Sequence, residues 1–349
     1  MTSKVREKGE QVRSFILANI ESHNGDIAAL VANKFGITRQ AVNKHLVRLR
    51  EQGTIVKEGS ARSPVYKMVP MVAKTFVYHL TPTLQEDVVW SSAIKEAVLP
   101  LPDNVLNIWH HGFTEMFNNA IDHSGGTEIL VTVKKNALST EIMIADNGIG
   151  IFKKIQTEFD LLDERHAIFE LAKGKLTTDP RNHSGEGIFF TSRMFDTFEI
   201  LSGGLYFGHE RGKPEDWLLE RSKADNGTSV FMQLNNHTSR TTKKVFDEYT
   251  EGDDYGFDKT VVPVNLAKYG MDELISRSQA KRLLARVELF KKVIFDFKNV
   301  EQIGQAFADQ IFRVFANDHP EIILQPINTS EAVREMISRA QAHRSAEEG

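Results

Sequence analysis

Cysteine is absent from all 349 residues. That excludes a disulfide framework, a cysteine nucleophile and any thiolate metal site, and it suits a reducing compartment. Equally absent is any apolar run approaching the roughly 20 residues that a membrane-crossing helix needs. Lys4, Arg6 and Lys8 open the chain, yet no apolar core of signal-peptide length follows them. A cytoplasmic protein without membrane contact is the expectation. A hydrophobic share of 41% suffices for substantial cores, and the length favours two or three domains over one.

The net charge of -4 is small because two unequal parts offset each other. Residues 1–70 hold 12 Lys and Arg against 6 Asp and Glu, whereas the rest of the chain holds 31 against 41. A basic head on an acidic body is the pattern of a chain in which one module meets a polyanion.

Within that head, Val12, Ile16, Leu17 and Ile20 recur at helical spacing. A second helix is predicted over Ile27 to Phe35, with Asp26 as its cap and Gly36 as its stop. A third should run from a Thr38 cap to about Glu51. Its apolar face is Val42, Leu46 and Leu49, and its polar face shows Arg39, Gln40, Asn43, Lys44 and Arg48. TIVKEG and PVYKMV then read as two short strands around a tip that carries Arg62. This order resembles a winged helix-turn-helix over residues 1–70. The resemblance implies double-stranded DNA as the partner, with the third helix in the major groove, Arg, Gln and Asn reaching base edges, and Lys on phosphates. Arg62 would meet the backbone or the minor groove.

The middle of the chain opens with YHLTP, Tyr78 to Pro82, which is similar to the phospho-accepting histidine motif of sensor kinases. Too few residues separate it from Glu115 for the two long dimerising helices of those kinases, so His79 is read as structural. Leu84 to Leu99 reads as helical between Pro82 and Pro100. A further helix is predicted over Asp103 to His123, where Glu115 and Asn119 stand four apart and share a face. A carboxylate and an amide so placed suit proton abstraction beside a magnesium ion held on phosphates. Strands follow over Glu128 to Lys134 and Glu141 to Ile144. Asp146 then sits at a strand end, where it can accept a hydrogen bond from the amine of adenine while Gly148 and Gly150 let the backbone approach the ring. Gly185 and Gly187 open a helix whose backbone N–H groups can cradle phosphate oxygens. Further strands are read near Phe198 to Leu201 and Ser229 to Leu234, with Asn226-Gly227-Thr228 just before the last. Four phenylalanines, Phe189, Phe190, Phe195 and Phe198, read as core, and His123 reads as a packed or capping residue.

These stations in this order resemble the GHKL ATPase family. Within it, EMFNNAIDHS looks most like the serine kinases that act as anti-sigma factors. The resemblance implies ATP and Mg2+ as cofactors, with Glu115 as general base, Asn119 as the Mg2+ ligand, Asp146 as the adenine anchor and Thr228 as its supporting hydroxyl. Gly148, Gly150, Gly185 and Gly187 would shape the pocket, Lys175 would add a nucleotide contact, and Ile151 to Ser184 would form a flexible lid.

Past a charged linker, Asp247 to Asp258, strands and helices alternate: VVPVNL, a helix over Ser278 to Phe290, KVIFDF, a helix over Gly304 to Phe315, EIILQP, and a helix over Ser330 to Ala342. This order looks like a STAS-type domain. Members that are phosphorylated carry a serine where the helix after the central strand begins, and here Ala306 stands at that place.

The expected architecture is thus a multidomain α/β and α+β chain. It comprises a winged helix-turn-helix over residues 1–70, a GHKL (Bergerat-type) α/β sandwich over 71–246, and a small STAS-like α/β domain over 258–345. Three functions follow from the resemblances. The first is a DNA-binding transcriptional regulator switched by a slowly hydrolysed ATP. The second is a serine/threonine kinase acting on a separate protein, and the third an ATP-operated dimerising clamp. A regulatory protein partner at the STAS-like domain and a homodimer belong with these expectations.

Overall fold

In the computed structural model, residues 2–60, 64–176, 185–212, 217–250, 257–267 and 273–347 are described. Arg62 lies outside them, as do residues 177–184 of the expected lid.

Three helices come first: α1 (Thr2–Asn19), α2 (Ile27–Phe35) and α3 (Arg39–Glu51). Gly36 terminates α2 in the left-handed conformation, and the Thr38 side chain accepts from the Ala41 N–H to start α3. Asp26 departs from expectation: its carboxylate makes no cap hydrogen bond and instead meets the His23 ring at 3.1 Å. Strands β1 (Ile55–Gly59) and β2 (Pro64–Met68) then form an antiparallel hairpin. Val12, Ile16, Val31, Val42, Leu46 and Leu49 close a core of their own against this hairpin. The α3 spacing of apolar residues is what turns the opposite, polar face outward.

The central layer is a five-stranded sheet in the order β3-β4-β5-β7-β6, antiparallel throughout. Its strands are β3 (Val72–His79), β4 (Glu128–Lys135), β5 (Ser139–Asp146), β6 (Thr197–Glu210) and β7 (Trp217–Asn235). Alternation places Ile129, Val131, Ile142, Ile144 and Met232 on a buried face, while Met143 and Phe231 on the other face are half-buried. His79 is exposed on the edge strand and pairs with Glu128 at 3.3 Å.

Between β3 and β4 the chain is helical over 86–98, as α4 (Glu86–Val89), a π-helical turn at Trp90–Ile94 and α5 (Lys95–Val98), and again in α6 (Asp103–His123). Between β5 and β6 lie α7 (Ile151–Glu158), α8 (Glu164–Lys173) and α9 (Gly187–Met194), and α10 (Thr242–Tyr249) follows the sheet. Phe113 and Phe117 of α6 are fully buried in the core. Gly112 lets α6 lie against Phe195, since a Cβ there would fall 2.4 Å from that ring. The described part of the segment expected to be a lid, residues 151–176, is thus largely helical. Every residue from Ala167 to Lys173 in α8 is buried.

The C-terminal part has a parallel three-stranded sheet, β10-β9-β8, built from β8 (Lys259–Pro263), β9 (Lys292–Asp296) and β10 (Ile323–Ile327). Around it are α11 (Arg277–Leu284), α12 (Gln305–Asp309), a π-helical turn at Gln310–Phe315, α13 (Ala316–Asp318) and α14 (Glu331–Glu347). α11 opens on a full capping box between Ser276 and Gln279 but ends at Leu284, short of the predicted Phe290. Arg286 in a left-handed conformation breaks it. The apolar core of this part is continuous with that of the central sheet. No helix among the described residues is long and apolar enough to cross a membrane.

Candidate functional site

A cavity of about 250 Å³ opens between α6, the end of β5, α7 and the start of α9. Glu115, Asn119, Asp146, Gly185, Gly187 and Thr228, all singled out from the sequence, line it together. Glu115 and Asn119 project from the same side of α6, whose apolar stripe is pinned into the core.

Strand register explains the other wall. Ala145 of β5 pairs with Ser229 of β7, so the next residue, Asp146, lies beside Thr228. Asp146 Oδ1 accepts from the Gly148 N–H at 2.9 Å and the Thr228 N–H at 3.2 Å. Among the described residues its Oδ2 has no hydrogen-bond partner. Burial pushes the Asp146 carboxyl above its ordinary value, and the Gly148 and Thr228 backbone hydrogen bonds pull against that rise. The Thr228 hydroxyl oxygen accepts from the Ile151 N–H at 2.9 Å, which orients it beneath the first turn of α7. Gly150 carries a φ of 89°, and a Cβ there would meet Ser202 Oγ at 2.7 Å. Neither Gly150 nor Gly148, which packs on the Ser124 carbonyl, lines the cavity itself.

At the opposite wall the Glu115 carboxylate reaches the start of α9. A Cβ on Gly187 would fall 2.0 Å from Glu115 Oε2, so this approach exists only with glycine. Backbone N–H groups at a helix start are unsatisfied donors, and together with the dipole they favour an anion.

Lys175 does not reach the cavity. Its ammonium donates to the Leu289 carbonyl at 2.9 Å and lies 4.9 Å from the Phe290 ring centre. In this structure the ammonium expected to contact a nucleotide is held by a C-terminal segment more than a hundred residues away in sequence. Burial lowers the Lys175 ammonium, opposed by the Asp258 and Glu186 carboxylates.

Sequence reading missed Lys154. It lines the cavity together with His123, the half-buried residue that ends α6; Lys154 Nζ donates to the His123 carbonyl at 3.1 Å and stands 3.4 Å from its ring nitrogen. Lys154 follows Ile151 by three residues on α7 and so shares its face, the one signal that could have found it. No group of three His, Asp or Glu side chains among the described residues could hold a metal ion unaided. The amide of Asn119 has no hydrogen-bond partner among the described residues, so its oxygen is available to a ligand in the cavity.

On α3, Arg39, Gln40, Asn43, Lys44 and Arg48 are all exposed. None of their side chains has a hydrogen bond or ion pair among the described residues.

Comparison with known proteins matches residues 279–334 to the family described as a STAS-like domain of unknown function (DUF4325). The C-terminal expectation is met over that span. No curated protein and no solved structure matches the chain.

Proposed function

We propose that the chain is an ATP-binding, DNA-binding regulator in which a GHKL-type cavity acts as a nucleotide switch between a winged helix and the STAS-like domain. The observation that carries the reading is the convergence of Asp146, Thr228, Asn119 and Glu115 on one cavity from three separate elements. It is supported by the chemistry of each group. The Oδ2 of Asp146 would accept from the exocyclic amine of adenine, with Thr228 and Ile151 setting the edge of the ring site. N–H groups at the start of α9 would take phosphate oxygens, and Asn119 would complete the shell of a phosphate-bound Mg2+, which neutralises charge on the phosphates. Glu115 would accept a proton from an attacking water.

Hydrolysis serves as a slow reset in this reading. Ala306 speaks against phosphoryl transfer to the chain's own STAS-like domain, because a methyl group stands where an acceptor hydroxyl would be. The winged-helix assignment rests on the hairpin that follows three helices and on the unpaired basic row of α3, which suits phosphate and base-edge contacts.

The test is equilibrium titration of the full chain with ATP and Mg2+, for wild type and Asp146→Asn. The wild type should bind, and the variant should bind about tenfold or more weakly, because the amide turns a donor toward the amine. Equal affinities would remove Asp146 from the adenine site, and no binding by either protein would end the nucleotide reading.

A further inference from the structure

The wall of the cavity is held from outside by the C-terminal domain. At the end of α8 the chain turns through two successive residues of positive φ, Gly174 at 85° and Lys175 at 54°. For lysine this conformation is unfavourable and persists only where neighbours over-determine it. Those neighbours come from residues 283–290. Arg286 donates from Nη2 to the Lys175 carbonyl at 2.6 Å, and Lys175 returns a hydrogen bond from its ammonium to the Leu289 carbonyl at 2.9 Å. The Arg286 guanidinium also lies 5.0 Å from the Phe159 ring centre, just past α7, and 3.8 Å from Glu170 Oε2.

One residue further on, Leu176 donates its N–H to the Gly185 carbonyl at 3.1 Å, and a Cβ on Gly185 would meet the Leu176 backbone at 2.6 Å. Leu176, Gly185 and Gly187 line the cavity. A short run of direct contacts therefore leads from Arg286 to the helix start against which Glu115 rests. Beneath it, α8 is anchored to the same C-terminal segment. The buried Lys173 ammonium pairs with Glu170 at 2.6 Å and donates to the Ala285 carbonyl, and the Thr260 hydroxyl donates to the Lys173 carbonyl at 2.6 Å. Leu171, on that helix, faces the cavity.

We propose that Arg286 of the C-terminal domain is a positioning residue for the nucleotide site, holding the Lys175–Leu176 backbone so that Gly185–Gly187 are seated to receive phosphate. The inference rests on the reading of the cavity as a nucleotide site. Its consequence is reciprocal: whatever binds the C-terminal domain and moves residues 284–289 changes nucleotide affinity, and nucleotide changes that binding by the same factor.

The experiment uses the full chain as wild type, Arg286→Asn, Arg286→Lys and Lys175→Met. Asn is chosen because it tolerates the φ of 63° at this position, so the variant removes the guanidinium without adding backbone strain. Amide hydrogen exchange over residues 174–176 and 185–188, without nucleotide, and titration with ATP and Mg2+ are read in parallel. Arg286→Asn should speed exchange in both segments, weaken ATP affinity by about five- to a hundredfold, and raise KM while leaving kcat within about threefold. Arg286→Lys should recover part of the affinity, and Lys175→Met should shift it in the same direction as Arg286→Asn. Unchanged exchange overturns the clamp itself. Faster exchange with unchanged ATP affinity overturns its link to the site. Should the wild type fail to bind ATP, the nucleotide reading falls, and the exchange measurement still decides whether Arg286 holds these segments.

Discussion

Gly187 gives Glu115 the space its carboxylate occupies: a Cβ on the glycine would lie 2.0 Å from Glu115 Oε2. The carboxylate thus sits where α9 begins, and its position depends on a missing side chain one element away.

Gly187→Ala should consequently leave the fold almost intact, because the displaced atom ends a flexible side chain. Melting temperature should move by no more than the equivalent of about 1 kcal/mol. Turnover should fall by roughly a hundredfold, the scale expected when a reacting group is misplaced by about 1 Å. Phosphate release and thermal unfolding, measured on one preparation, separate the two effects.

Glu115→Ala removes the proposed proton acceptor itself. Phosphate release should drop by ~10²- to 10⁴-fold with ATP affinity little changed. Undiminished turnover would take Glu115 out of the chemistry.

His111 offers a pH signature of folding. Burial, with the neighbouring His110 charge, pushes its pKa from 6.5 down to about 4, and its Nε2 is buried without a hydrogen-bond partner. Between those values the unfolded chain binds more protons than the folded one, so stability rises with pH across the window and is lost as pH falls from 6.5 toward 4. His111→Phe should flatten that dependence, by on the order of 1–2 kcal/mol at the acid end. Denaturant midpoints at pH 7 and pH 5 provide the check.

The sequence carried much of this arrangement where local chemistry decides it. Thr38 and Gly36 bracket the helix boundaries because capping is a matter of a few adjacent residues, and the Glu115–Asn119 spacing needs only a helix to have meaning. Asp146 was legible because strand ends are punctuated by glycines. What stayed hidden depends on partners far along the chain. Nothing local to Lys175 says that Leu289 will take its ammonium, and nothing in ERHAIFELAK says that Glu170 and Lys173 will be buried as a pair under Ala285. Asp26 looked like a cap until His23, three residues back, claimed its carboxylate.

That buried pair has its own consequence for stability. Glu170 and Lys173 are 4% and 1% exposed, and burial pushes both toward their neutral forms. Lys173→Met takes the 2.6 Å partner from the Glu170 carboxylate, leaving Arg286 at 3.8 Å, and should cost up to ~3–5 kcal/mol, read from denaturant unfolding. A cost near zero would mean that α8 is not anchored through this pair.

A nucleotide switch requires coupling between the cavity and α3. The decisive measurement is the affinity of the full chain for duplex DNA across a range of salt, with and without a non-hydrolysable ATP analogue and Mg2+. Affinity should fall steeply with salt, the slope should lessen by about one for Lys44→Ala or Arg48→Ala, and the analogue should shift affinity by about fivefold or more. DNA affinities that are identical with and without the analogue would contradict the switch, and binding insensitive to salt would contradict the DNA reading of α3 itself.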